Sequence, residues 1–321
     1  MIIPVVLLAL VATSMRHSAE GTARMAPAAV ARWDDSSWHV SEPGGREIQV
    51  DIGLNGSNLR PEDVLEWVRR AADAVTAFYG VFPVERARVR AAESLGDGRE
   101  IHGTTWGDID GVQGFSRMRL GGGVTKNDLN SDWTMTHEFV HMALSSLPDE
   151  SHWLEEGLAT YVEPIARVQA GQLTAEQAWE GMVQGMPNGE PGPGDKGLNQ
   201  AHTWGRTYWG GAMFCLVADI RIREATQNRK GLQDALRAIV AARATIDTEW
   251  PIERVLAVGD EATGTTVLSG LYNTWKNSPV RVDLNKLWLE LGVRTGSHGI
   301  GFDSNATLAA IRNSITEKPP R

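Results

Sequence analysis

Within the stretch TMTHEFVHMAL, residues 134 to 144, His137 and His141 stand four residues apart with Glu138 beside the first of them. On a helix, positions four apart lie one above the other on the same face. Both imidazoles can therefore address one cation, and zinc takes histidine nitrogen at about 2.0–2.1 Å. Glu138 can reach a water at such a cation without binding the cation itself, so the chemistry on offer is metal-assisted hydrolysis with a glutamate general base. The alternative is a helix that carries two unrelated histidines. A third ligand is the feature that separates the two.

The sequence HWLEEGLATYVEP, residues 152 to 164, offers one. It reads as an amphipathic helix with two carboxylates, Glu155 and Glu156, near its start. Fourteen residues lie between His141 and Glu156, enough for one helix to finish, turn back and begin another. An antiparallel return would point a carboxylate at the histidine pair. Two histidines, one carboxylate and a water make the open, catalytic form of a zinc site.

The elements that must hold these residues can be read from periodicity. REIQVDIGL (46–54) alternates like a half-buried strand, and ERARVRAAE and GVQGFSRMRL read as further strands. Residues 60–80 read as a helix that starts at Pro61, with Val64, Leu65, Val68, Ala72 and Val75 on one stripe. Three more helices are expected at about 131–147, about 152–166 and from near 204. For the first of these, Asn130 or Ser131 is the expected cap, Pro148 the stop, and Val140, Ala143 and Leu147 the core stripe. Residues 185–200 are a Gly/Pro-rich loop, and from 231 onward the pattern is helical. The fold class is α+β, a small mixed N-terminal sheet with helices followed by an all-helical C-terminal subdomain.

Composition narrows the function. A net charge of −9 argues against nucleic acid or an anionic membrane as partner. The apolar start MIIPVVLLALVATSM is too short to span a bilayer and suits a signal peptide over residues 1–19, so the chain is expected to be exported, periplasmic or extracellular. Residues 20–44 then read as a flexible connector, 45–147 as the mixed subdomain with the zinc helix, 148–315 as the helical subdomain with the third ligand, and 316–321 as a tail. The single cysteine, Cys215, excludes an intrachain disulfide and lies in an apolar run as a buried thiol. The twelve tryptophans are scattered and fall mostly on helical apolar stripes, as core residues do. His39, His102 and His298 have no ligand-spaced partner.

His-Glu-x-x-His followed by Trp-Leu-x-Glu-Gly-x-Ala-x-Tyr resembles the gluzincin metallopeptidases. The resemblance implies the thermolysin-like zincin fold, one zinc ion per chain and a peptide or protein substrate. It makes His137, His141 and Glu156 the metal ligands, leaves Glu155 outside the set, and makes Glu138 the base. The interval between the two motifs is shorter than is usual there, and Thr160 stands where thermolysin-like enzymes place an aspartate behind a ligand. TYWGGAMFCLVADIRIREATQNRKGLQDALRAI (207–239) is similar to a segment of the glycyl aminopeptidase family, through Tyr208, Gly211, Ala212, Asp219, Ile222, Arg223, Thr226, Leu232 and Asp234. It implies Tyr208 as the donor to the oxyanion, with His202 second. The stretch FSRMRLGGGVTKND lacks the glutamate with which alanyl-type aminopeptidases hold a free amine, which leaves exo- or endopeptidase open. The strand from Phe115 to Leu120 is expected to take an extended peptide by strand addition. A zinc hydrolase of other acyl substrates and a non-catalytic zinc module remain the alternatives, the second disfavoured by Glu138.

Overall fold

The computed structural model describes residues 37–318 apart from 43, 57, 97, 297 and 298. The expected signal peptide, His298 and the last residues of the tail lie outside the described residues.

Five strands form the N-terminal sheet: β1 Ser37–Glu42, β2 Arg46–Gly53, β3 Arg86–Glu93, β4 Ile101–Ile109 and β5 Val112–Leu120, in the order β1-β2-β3-β5-β4. β1 corrects the expected connector, because residues 37–42 pair antiparallel with β2. A six-residue strand that closes by a tight Gly44-Gly45 turn leaves little alternation to read. β2, β3 and β5 run parallel, and β4 returns antiparallel on β5. The parallel β2–β3 pair needs a crossover, which helix α1, Pro61–Tyr79, supplies. Its stripe of Val64, Leu65, Val68, Ala72 and Val75 is buried against Ile48, Val50, Val89 and their neighbours. β5 lies between β3 and β4, so both its edges are taken. Phe115 to Leu120 therefore cannot accept a peptide strand; the sheet's edges are β1 and β4.

At the start of α1, Asp63 accepts from the Arg60 backbone N–H at 3.1 Å and from the Arg60 guanidinium. The hydrogen bond from Arg60 holds its carboxyl down to about 2. A folded-state pKa below the ordinary carboxylate range stabilises the protein above that range, and the contribution is lost as pH falls through about 2. Asp63→Ala is expected to cost about 1 kcal/mol at neutral pH. Urea denaturation should show the gap to the parent chain closing as pH drops over that interval.

The helical half follows, with α2 Lys126–Ser131, α3 Thr134–His141, α4 His152–Gln169, α5 Ala175–Gly185, α6 Trp204–Ala225, α7 Leu232–Ala241, α8 Ile252–Thr263, α9 Val267–Trp275, α10 Leu284–Leu291 and α11 Ala309–Thr316. It also holds a two-stranded hairpin, β6 Val293–Gly296 with β7 Gly299–Phe302, so it is not purely helical. Four-residue strands are too short to show a period. α4 and α6 touch backbone to backbone where Gly157 meets Gly211, since a Cβ on either would overlap the other helix. Behind that contact Asp219 accepts from Tyr161 Oη at 2.9 Å, Arg223 Nε at 2.8 Å and Leu232 N–H at 2.9 Å. Several residues of the 207–239 resemblance thus lock α4, α6 and α7 together and have no place in the site. Among the described residues no helix is long and apolar enough to cross a membrane.

Candidate metal centre

Asp132 starts the helix that carries both histidines. Its carboxylate accepts from Met135 N–H at 3.1 Å and Trp67 Nε1 at 2.8 Å, which satisfies a first-turn donor and ties α3 to α1. Neither Asn130 nor Ser131 does this, and Ser131 closes α2. The helix also ends at His141, well before Pro148. Met142, Ala143 and Leu144 bond to carbonyls three residues back, and Ser145 Oγ then donates to Thr248 O at 2.7 Å and accepts from Trp250 N–H at 2.8 Å. A segment a hundred residues away captures the chain, which no local pattern can announce.

The fold brings His137, His141 and Glu156 together, with a ligand atom from each within 4.8 Å of the others. Nε2 of His137 lies 3.1 Å and Nε2 of His141 3.6 Å from Glu156 Oε2. Burial works to raise the Glu156 carboxyl, but the imidazoles of His141 and His137 outweigh it and hold the group well below its usual range. Burial likewise works to lower His141, and the Glu156 carboxylate outweighs it and lifts the imidazole to about 9. Two imidazole nitrogens and one carboxylate oxygen converge, with no fourth protein ligand among the described residues. This donor set fits zinc in its open form. His137 Nδ1, on the far side of its ring, is buried without a hydrogen-bond partner, and Thr160 makes no hydrogen bond to either histidine.

Glu155 points elsewhere. One of its oxygens accepts from Leu147 N–H at 2.9 Å, and the other lies 3.0 Å from His152 Nδ1. Adjacent residues are about 100° apart around a helix, so the two carboxylates part company. His152 also sets Nε2 3.5 Å from Glu156 Oε1 and so spans both glutamates. Its imidazole is raised above the usual histidine value, first by the hydrogen bond to Glu155.

Glu138 is buried against the edge strand, where Thr105 Oγ1 donates to its Oε2 at 2.7 Å and is itself 2.8 Å from Ser116 Oγ. Gly103 leaves the room, since a Cβ there would overlap the Glu138 side chain. Gly103→Ala is therefore expected to shift the carboxylate while the three-residue cluster keeps its capacity for one metal ion. Metal stoichiometry and a crystal structure of the variant, taken together, check this.

Tyr208, on α6, faces His137 with ring centroids 6.1 Å apart and planes 10° from parallel. The Gly157–Gly211 approach delivers it, because Gly211 lies one turn beyond Tyr208 and Gly157 directly follows Glu156. Burial pushes the phenol well above its usual range, and the carboxylates of Glu156 and Glu138 add to the effect. It stays protonated and able to donate. His202 is exposed, just ahead of the α6 cap. Gly103, Thr105, His152 and two tryptophans, Trp133 and Trp204, also border the site, and none was singled out in the sequence. The first two sit on β4, whose small residues show no apolar alternation.

No protein-family model matches this chain, and none of the curated proteins does. Solved structures do match. An aminopeptidase N family protein from Idiomarina loihiensis aligns with a TM-score of 0.57 at 11% identity, over 80% of this chain and 49% of that one. An M1 zinc metallopeptidase from Deinococcus radiodurans aligns with a TM-score of 0.48 at 15% identity, over 78% of this chain and 53% of that one. The chain thus spans about half the length of the structures it matches. The first likeness is one of fold, and the α+β arrangement expected from the sequence is the one observed.

Proposed function

We propose that this chain is a zinc-dependent metallopeptidase. The observation that carries the reading is Glu138, fixed by Thr105 beside the His137–His141–Glu156 cluster and outside the ligand set. A structural zinc site fills its fourth position with protein and has no use for such a base. His137, His141 and Glu156 would hold the ion, which when bound supplies Lewis acidity and acidifies water.

The chain's own residues then act on the substrate. β4, the sheet edge that lies against Glu138, pairs with an extended peptide and lays the scissile carbonyl before Glu138. The Glu138 carboxylate takes the proton of the attacking water at one oxygen while Thr105 holds the other, and passes it to the departing amine. Tyr208 Oη donates to the oxyanion that forms. His152 and Leu147 N–H hold Glu155, which fastens the start of α4 and so keeps Glu156 in place. Tyr208→Phe is expected to lower kcat by about 100- to 1,000-fold with little change in KM, as loss of a transition-state donor does.

The test of the whole reading is a peptide-library digest read by mass spectrometry, with and without chelator. Chelator-sensitive cleavage supports it, and its pattern tells terminal from internal attack. A zinc-loaded chain that cleaves no peptide defeats it.

A further inference from the structure

Four large apolar side chains stand well exposed among the described residues: Leu95, Trp133, Trp204 and Leu289. Two of the four flank the metal centre. Trp133 is edge-on to His137 at 5.4 Å, and Trp204 stacks on Tyr208 at 5.8 Å with planes 28° apart. Tyr208 lies nearly parallel to His137. The four rings therefore form one continuous tier, with a tryptophan at each end and the proposed chemistry between them.

Packing does not explain these two indoles. Trp67, Trp153, Trp179 and Trp275 are buried in the core, while Trp133 is 46% and Trp204 42% exposed. Each is the first or last residue before a helix turn, Trp133 just ahead of α3 and Trp204 at the first position of α6. Each therefore lies about one turn from a proposed site residue, His137 or Tyr208, and that spacing presents the ring at the mouth of the site. An exposed aromatic plane is favoured to cover another apolar or aromatic group, with offset or edge contacts adding to the area buried.

We propose that Trp133 and Trp204 form the side-chain subsites on the two flanks of the scissile bond. The preferred substrate is then a peptide with an aromatic or large apolar residue next to the cleaved bond. This rests on the peptidase reading and adds the substrate class to it. The expected discrimination between a phenyl group and hydrogen at such a site is about tenfold or more.

The test uses the zinc-loaded full chain with two probes, phenylalanine hydroxamate and glycine hydroxamate, titrated by calorimetry. The parent chain should bind the phenylalanine probe about tenfold more tightly. Trp133→Ala or Trp204→Ala should erase that difference with zinc stoichiometry unchanged, and the matching Phe variant should restore it. Equal binding of the probes, binding of neither, or a preference that survives both alanine variants overturns the proposal. A library digest of the same proteins keeps the two ideas apart. Cleavage with no apolar enrichment defeats the subsites and leaves the peptidase standing, whereas probe discrimination without any cleavage defeats the peptidase and leaves the aromatic cleft.

Discussion

Glu138→Gln is expected to lower kcat for peptide cleavage by about 100- to 10,000-fold, the usual worth of a positioned general base, while the chain still binds one zinc ion. The substitution keeps the shape of the side chain and an oxygen for Thr105 Oγ1, which now sits 2.7 Å from Oε2. What it removes is the ability to take a proton. Because Glu138 is not among the three converging ligand atoms, metal content should not change. Turnover on a cleaved peptide and zinc by atomic absorption decide the matter together. Unchanged turnover sinks the mechanism, and lost zinc would make Glu138 a ligand.

The second large effect separates neighbouring glutamates. Glu156→Ala should weaken zinc binding by more than the roughly 100-fold that loss of an outer partner costs. Glu155→Ala should stay within that smaller range. Its loss leaves Leu147 N–H without an acceptor, so about 1 kcal/mol of folding stability should go instead. Competition with a chromophoric chelator gives the first number, and urea denaturation the second. The opposite outcome would show that the carboxylate now turned toward the loop is the true ligand.

Much of the site was legible along the chain because it is local. His137 and His141 share a face by helical geometry alone, and Glu138 is next to the first by sequence. The α1 stripe was equally plain, since its buried residues recur at a helical period. The start of α3 is local, with Asp132 accepting from Met135 N–H one turn on and only tied further by Trp67, whereas its end is set from a distance, by Ser145 binding the 248–250 segment. β4 escaped notice because its inward positions hold Gly103, Thr105 and Gly107, small residues that make way for Glu138 and the 246–247 backbone and so erase the apolar alternation. The strand addition expected at Phe115–Leu120 therefore falls one strand too far inside.

By itself the sequence determined a helix bearing two metal-directed imidazoles and a base, and a second helix with a carboxylate to complete the set. Short-range backbone geometry is enough for that. Residue spacing alone left Glu155 and Glu156 equivalent; the tertiary structure turns Glu156 inward, as the resemblance implies, puts β4 at a sheet edge beside Glu138, and stands Tyr208 over His137. Each of these depends on contacts between residues far apart in the chain, such as the Gly157–Gly211 approach, which periodicity does not encode. The exposure of Trp133 and Trp204 is of the same kind: an aromatic residue at a helix start reads as core until its neighbours in space are known.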